Sequence, residues 1–330
     1  MNPLGLYRIF APPSRRKARM NVFLGLDRLP RFRNTVVTIG TFDGVHLGHK
    51  VILNRLKEKA MEVGGETVII TFEPHPRLVL TNQKAPISLL NTLEEKIDNL
   101  QKEGVDNVVV VNFSLDFANQ SAASYVEHFL VGHFQPHTLI IGFDHLFGKG
   151  RQGNFQLLES LKSTFHFELE EIPMQVVEQN KISSTQIRNS LKEGDVAKAA
   201  RLLGKPYSIE GVVIEGAKRG KQLGYPTANI VVNDLHKLIP RLGVYAVNVQ
   251  IKEKVYGGMM NIGYNPTFEN TEGIHLEVHL FHVNQNLYGS TITVLFVDRL
   301  RDEMKFEGVD QLILALAQDK QNAMERLDLK

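Results

Sequence analysis

The sequence predicts an α/β/α domain with a parallel sheet, followed by a small antiparallel β-barrel with a C-terminal helix. Three observations carry this. In the first part of the chain short apolar runs alternate with helical stripes, the pattern of a parallel sheet covered on both faces. A helix stop at Gly204 with Pro206 just beyond then breaks the chain. After it, strand follows strand with Gly and Pro loops between, until a last amphipathic helix. The 330 residues suit two domains of about 100–200 residues each.

The elements follow in order. β-Branched runs at 36–39, 67–71, 108–111 and 138–141 are short and nearly continuous, as strands buried on both faces should be. Between them Ile52, Leu56, Ala60 and Val63 recur at helical spacing. So do Leu93, Ile97 and Leu100, behind a capping box of Thr92 and Glu95 and ahead of a stop at Gly104. Val126, Phe129 and Leu130 form a third stripe, and Phe155, Leu158 and Leu161 a fourth. A short helix is expected from about Thr185, and Asp195 caps another over 196–203. Beyond Pro206, strands are expected at 209–214, 244–251, 255–261, 274–283 and 291–297, with a helix from Val309. The division expected is 1–19 as a basic extension without fixed structure, 20–204 as the first domain and 205–330 as the second.

Composition narrows the chemistry. Of the residues, 43% are hydrophobic and 22% charged, an ordinary globular balance. There is no cysteine, which excludes disulfides, thiolate nucleophiles, Cys-ligated zinc and iron–sulfur clusters. It also fits a reducing compartment, and a cytoplasmic location is expected. The absence of tryptophan leaves aromatic recognition to Phe, Tyr and His. No apolar run approaches the ~18–20 residues that span a bilayer. Net charge is +2, but eight of the 38 basic residues lie within the first 33 positions against one acid, Asp27, leaving 30 bases and 35 acids in the rest. A mildly acidic body argues against a nucleic-acid binder. Nothing in the sequence specifies an oligomeric state.

Residues 39–49 (IGTFDGVHLGH) follow the first of these strands and open the first helix. That is where open α/β sheets bind ligands. Gly40 and Gly44 let backbone approach a phosphate, and the helix start offers free N–H groups. His46 and His49, three apart, suit hydrogen bonds to a phosphate chain as charge builds, though capping or metal ligation are open readings of the pair alone. In residues 182–188 (ISSTQIR), Ser183, Ser184 and Thr185 cap a helix aimed at an anion, and Arg188 brings fixed charge. Taken alone, that segment is equally a simple cap.

The glycine-rich turn with HxGH and the SSTxIR segment resemble the Rossmann-like nucleotidyltransferases that move a nucleotide from a nucleoside triphosphate. Residues 40–49, 71–76 (TFEPHP), 142–153 (GFDHLFGKGRQG) and 183–188 narrow the resemblance to the FMN adenylyltransferase module of prokaryotic bifunctional FAD synthetases. That resemblance implies that His46, His49 and Arg188 are catalytic. It also puts Gly40, Phe42, Asp43, Ser183, Ser184 and Thr185 against the nucleotide or flavin. Asp144 and the 147–150 loop would lie near both, with 72–76 and 112–117 bordering the flavin ring. The chain departs from the usual pattern at His145, Leu146 and Asn154.

In the second domain residues 224–229 (GYPTAN) follow a basic, glycine-containing loop at 216–223 with Lys218, Arg219 and Lys221. Such a loop can flap over phosphates, and Thr and Asn oxygens are hard ligands suited to Mg²⁺. Glu277 alternates with Leu276 and Val278 on a strand, a rigid seat for a general base. With residues 261–268 (NIGYNPTF) and 300–306 (LRDEMKF), this set resembles bacterial riboflavin kinase. That family resemblance implies Thr227 and Asn229 as ligands of Mg²⁺–ATP and Glu277 as the base. It adds Gly216, Arg219, Gly224 and Pro226 as nucleotide-binding positions. His282 and Val283 depart from the pattern. The expected activity is therefore twofold, with riboflavin, FMN and ATP as substrates. Met20 resembles the family's own N-terminus, so residues 1–19 are expected to lie outside it.

Overall fold

The structure is a computed structural model that describes residues 20–81, 87–173, 182–216, 219–264, 273–283 and 285–329. The 1–19 extension, Lys218, residues 265–268 and the side chains of Arg219 and Lys221 lie outside the described residues.

The runs expected as buried strands form the middle of one parallel sheet. Its strands are β1 (Asn21–Leu24), β2 (Val36–Ile39), β3 (Thr67–Glu73), β4 (Asn107–Asn112), β5 (Thr138–Gly142) and β6 (Glu168–Ile172), in the order β1-β4-β3-β2-β5-β6. Side chains of alternate residues enter opposite layers. Val37, Ile39, Val68 and Ile70 join one apolar cluster; Val36, Ile69, Val108 and Ile140 join another. Helices α1 (Leu47–Glu62) and α2 (Leu93–Lys102) cover the second cluster. Helices α3 (122–134) and α4 (Phe155–Phe165) cover the first.

Two strands of this sheet were not expected, both at its edges. β1 is largely exposed. β6 reads ELEEI, too acidic to signal a strand, yet its carboxylates meet cations of α1: Glu170 pairs with Arg55 at 2.5 Å and Glu168 with Lys59 at 2.7 Å. The third apolar stripe is helical as expected, but Tyr125–Val131 winds as a π-helix. That register still buries Tyr125, Val126, Phe129 and Leu130.

Helices α5 (Ser184–Glu193) and α6 (Val196–Leu203) then lead to the barrel. Its strands are β7 (Ser208–Ile214), β8 (Ala228–Val231), β9 (Gly243–Ile251), β10 (Lys254–Tyr264), β11 (Ile274–Leu280) and β12 (Thr291–Arg301). They close antiparallel in the order β10-β11-β8-β7-β12-β9. β8, four residues long, was too short to read from sequence. Tyr245, Val247, Met260, Leu276 and Val278 are buried in the cluster that fills the barrel. Ile187, Leu191, Val196, Ala199 and Leu203 belong to that same cluster. So α5 and α6 are packed on the barrel, although their sequence continues the first domain. Helix α7 (Val309–Arg326) lies on the outer wall, where Ala323 meets Ala246, Met259 and Phe281. Arg301 of β12 pins it by a forked pair to Asp319 at 2.8 and 2.7 Å.

The stop at Gly204 has a steric cause. Its φ is +72°, and a Cβ there would lie 2.4 Å from Leu47 at the start of α1. Gly204→Ala is therefore expected to destabilise the fold by roughly 1–3 kcal/mol, through left-handed backbone strain and the displaced leucine. Urea unfolding followed by circular dichroism measures this, and an unchanged midpoint would contradict the packing.

Candidate active sites

The chain runs from β2 through β3 to β4 on one side of the sheet, then to β5 and β6 on the other. The switch point lies between β2 and β5, beyond whose carboxyl ends a crevice opens in such folds. The loops after these two strands carry residues 40–46 and 142–153. Phe42 and Val45 adopt φ of +48° and +42° in the first loop, backbone strain of the kind that concentrates at functional sites.

His46 is the N-cap of α1 rather than part of it, and His49 is its third residue. They form a reciprocal capping box: the His49 N–H donates to His46 Nδ1 at 3.4 Å, and the His46 N–H donates to His49 Nδ1 at 3.3 Å. An Nδ1 that accepts carries no proton, so each neutral ring presents an Nε2–H donor. The rings stack, with centroids 3.7 Å apart. Burial, helped by Arg188, lowers the His46 pKa from 6.5 to about 4. Burial also lowers His49, with His46, Lys96 and Lys205 adding to the effect. Gly48 permits the close fit, because a Cβ there would sit 3.1 Å from the His46 ring and 3.3 Å from the Ile182 carbonyl.

The 182–188 segment meets this loop from α5. Ser183 caps the helix in a capping box with Gln186. Ser184 Oγ donates to the Asp43 carbonyl at 3.0 Å, and Thr185 is exposed in the first turn. Arg188 pairs with Asp43 at 2.5 Å and donates through Nε to the Ser88 carbonyl at 2.9 Å. Asp43 Oδ1 accepts from the Leu90 and Asn91 N–H groups at 2.8 and 3.2 Å. Both groups, expected against the nucleotide, are thus engaged in holding three segments together. Phe42 is 2% exposed and its ring belongs to the core, so what it offers the site is its strained backbone. A Cβ at Gly40 would be 3.2 Å from that ring.

Asp144 is exposed just past β5. Phe147 is buried and stacks on Tyr125, centroids 4.9 Å apart, so its side chain is packing rather than open surface. Half-buried Phe113 and Phe117 link it to Phe72 in a continuous aromatic wall. His145 has a buried Nε2 with no hydrogen-bond partner among the described residues, and burial lowers its pKa to about 4.

Sequence reasoning missed Lys96. It is 4% exposed, and its Nζ lies 3.4 Å from Thr71 Oγ1. Burial lowers its pKa against the opposing pull of Glu73 and Asp43. It also depresses buried His75, the N-cap of the 76–80 turn, to about 3, after burial itself. A lysine spaced three and four from Leu93 and Leu100, on the apolar stripe, was the available signal.

In the barrel Glu277 pairs across β11 with Asn229 of β8 and with Asn261 of β10. The three lie in one row, alternating with the inward Leu276, Val278, Met260 and Ile262, so they face out. Glu277, Asn261 and Thr227 line a cavity of about 260 Å³. Leu312 and Leu316 of α7 roof it. A Cβ at Gly216 would lie 2.0 Å from Asn229 Nδ2, so only glycine leaves that amide its place. Gly224 turns with φ +82°. The Pro226 carbonyl lies 2.8 Å from His279 Nδ1, fixing the turn that presents Thr227.

Fold and sites define a nucleotidyl-transfer unit fused to a phosphotransfer barrel. A family model for FAD synthetase matches residues 29–186, and one for riboflavin kinase matches residues 203–327. A bifunctional riboflavin kinase/FMN adenylyltransferase of Listeria monocytogenes is 39% identical over 88% of this chain and 91% of its own. That of Haemophilus influenzae is 40% identical over 92% and 98%, and that of Escherichia coli K12 37% over 88% and 92%. A solved Streptococcus pneumoniae structure, titled a macrolide-efflux protein, superposes with a TM-score of 0.82 at 33% identity, covering 92% of this chain and 98% of that one. The chain belongs to the bifunctional riboflavin kinase/FMN adenylyltransferase family. Among the described residues no helix is long and apolar enough to cross a membrane.

The buried imidazoles set a pH dependence. With His46 near 4 when folded and 6.5 otherwise, the unfolded chain binds more protons between those values. Stability therefore rises with pH: the His46 contribution is complete above 6.5 and is lost as pH falls through 4. For His46 this is worth about 3 kcal/mol. Unfolding measured at pH 7 and pH 4 should show a smaller loss for His46→Gln than for the unmodified chain.

Proposed function

We propose that the barrel phosphorylates riboflavin with ATP, giving FMN and ADP, and that the sheet unit joins FMN to AMP from a second ATP, giving FAD and pyrophosphate. The observation that carries this is the presence in one chain of two separate sites. One presents paired Nε2–H donors at a sheet switch point. The other holds a strand-borne carboxylate inside a cavity.

In the sheet unit an FMN phosphate oxygen attacks the α-phosphorus of ATP, and the bond to the β-phosphate oxygen breaks. His46 and His49, neutral and aligned by the backbone of α1, donate to the phosphate chain as charge accumulates on the leaving pyrophosphate. Arg188, held against Asp43, contributes positive potential from behind the loop. The exposed start of α5, with Ser183 and Thr185, lies beside the loop as a further anion seat. In the barrel the Glu277 carboxylate accepts the proton of the riboflavin 5′-hydroxyl as that oxygen attacks the γ-phosphorus and ADP departs.

The oxygens of Thr227 and Asn229 suit a hard cation. Among the described residues no group of three or more His, Cys, Asp or Glu is arranged for a metal. This donor set fits Mg²⁺ that keeps waters and phosphate oxygens as its other ligands. When bound, Mg²⁺ neutralises phosphate charge. The proposed division remains 20–204 and 205–330, with α5 and α6 bridging the two and 1–19 as an extension outside both. Dependence on ATP and flavins argues for a cytoplasmic location.

Two substitutions test the assignment. His46→Ala is expected to lower FAD formation by about 10²-fold or more while riboflavin is still converted to FMN. Glu277→Gln should lower FMN formation by about 10²-fold or more while supplied FMN still becomes FAD. Both are read by chromatography of flavins after incubation with ATP and Mg²⁺. Loss of both activities in either folded variant would defeat the two-site assignment.

A further inference from the structure

Residues 88–91 form a strap between the barrel and the loop after β2. On the barrel side the Leu89 N–H donates to the His236 carbonyl at 2.6 Å, and the Leu238 N–H donates to the Leu89 carbonyl at 2.8 Å. Lys237 Nζ donates to the Leu90 carbonyl at 2.8 Å and forms an ion pair with Glu95. The Lys237 side chain is wholly buried and lies over the Tyr207 ring. On the other side the Leu90 and Asn91 N–H groups hold Asp43, and the Ser88 carbonyl holds Arg188. Glu95 is itself the capping-box residue of α2, accepting from the Thr92 N–H at 3.1 Å. It also accepts from the Glu210 N–H of β7 at 3.3 Å.

We propose that Lys237, although it belongs to the barrel, is a positioning residue for adenylyl transfer: through the Leu90 carbonyl and Glu95 it fixes the strap that sets Asp43, Arg188 and the His46 loop. The inference rests on the adenylyltransferase reading of the sheet unit. Its physical basis is that every residue of the strap spends a backbone group on the Asp43–Arg188 pair or on the barrel. Removing the lysine leaves a buried carboxylate and a buried carbonyl short of a donor, and the strap must shift to reach others. A shift of the order of 1 Å in this loop weakens its seat for the ATP phosphates, and misplacement of that size can cost about 10²-fold in kcat/KM. Leu90 also fills the space beside Gly44, where a Cβ would lie 2.8 Å from its side chain, so strap and loop move together.

The test uses the full chain, assaying both reactions on one preparation. Lys237→Met is expected to reduce kcat/KM for ATP in the FMN-to-FAD reaction at least tenfold, chiefly by raising KM for ATP. KM for FMN and the riboflavin-to-FMN rate should stay within about twofold. A misfolded fraction would instead lower kcat and leave both KM values alone. Lys237→Gln keeps an amide donor and is the milder variant; it should move the same parameter by less. Unchanged adenylyl transfer in either folded variant overturns the proposal, as does a parallel fall of both activities. If the unmodified chain makes FMN but no FAD, the underlying adenylyltransferase reading fails, and this inference fails with it.

Discussion

The buried pair between Asp43 and Arg188 joins positions 145 residues apart and fixes the loop that carries the first candidate site. A lone carboxylate with 2% exposure would be costly. Here it accepts from a guanidinium and from two backbone N–H groups, so its charge is matched on each side. Breaking such a pair from one side typically costs ~3–5 kcal/mol. Its greater effect is geometric. It fastens the loop after β2, the strap at 88–91 and the start of α5 to one point, and His46 follows three residues later along the same loop.

The two sites use different architectural means for one requirement, rigid presentation of polar groups. In the sheet unit the presenting elements are helix starts, where unpaired backbone donors and side-chain caps meet. The capping box of His46 and His49 makes backbone hydrogen bonding select the tautomer, so the cap also decides which ring nitrogens are donors. In the barrel the presenting element is a strand row. Antiparallel pairing places Asn229, Glu277 and Asn261 side by side without any loop, and the apolar alternates lock the row by filling the interior.

Much of this was legible in the chain. Continuous β-branched runs gave away the buried strands, Thr92 with Glu95 marked the start of α2, and Gly204 marked the end of α6. The glycine-rich turn with its two histidines and the PTAN segment marked the two candidate sites. What escaped had physical reasons. β6 is acidic because it borders the cations of α1, and β8 is too short to show alternation. The buried ring of Phe42 and the engaged side chains of Asp43 and Arg188 depend on contacts between distant segments that no local pattern encodes. Lys96 went unread, although its helix face is apolar and sits on the core. Glu95 read as a cap, and its second attachment to Lys237 became visible only once the barrel was in place.

Helices α5 and α6 have a consequence for how such a protein can change over generations. Their apolar faces lie on the barrel, while Arg188 near their start completes the loop on the sheet. A recombination event at Pro206 that brought in a foreign barrel would strand Ile187, Leu191 and Leu203 without their neighbours. The break that Gly204 and Pro206 mark in the sequence therefore runs beside a packed interface rather than through an open linker. Barrel, bridging helices and strap are packed as one body, so a change in any of them is felt by the loop after β2.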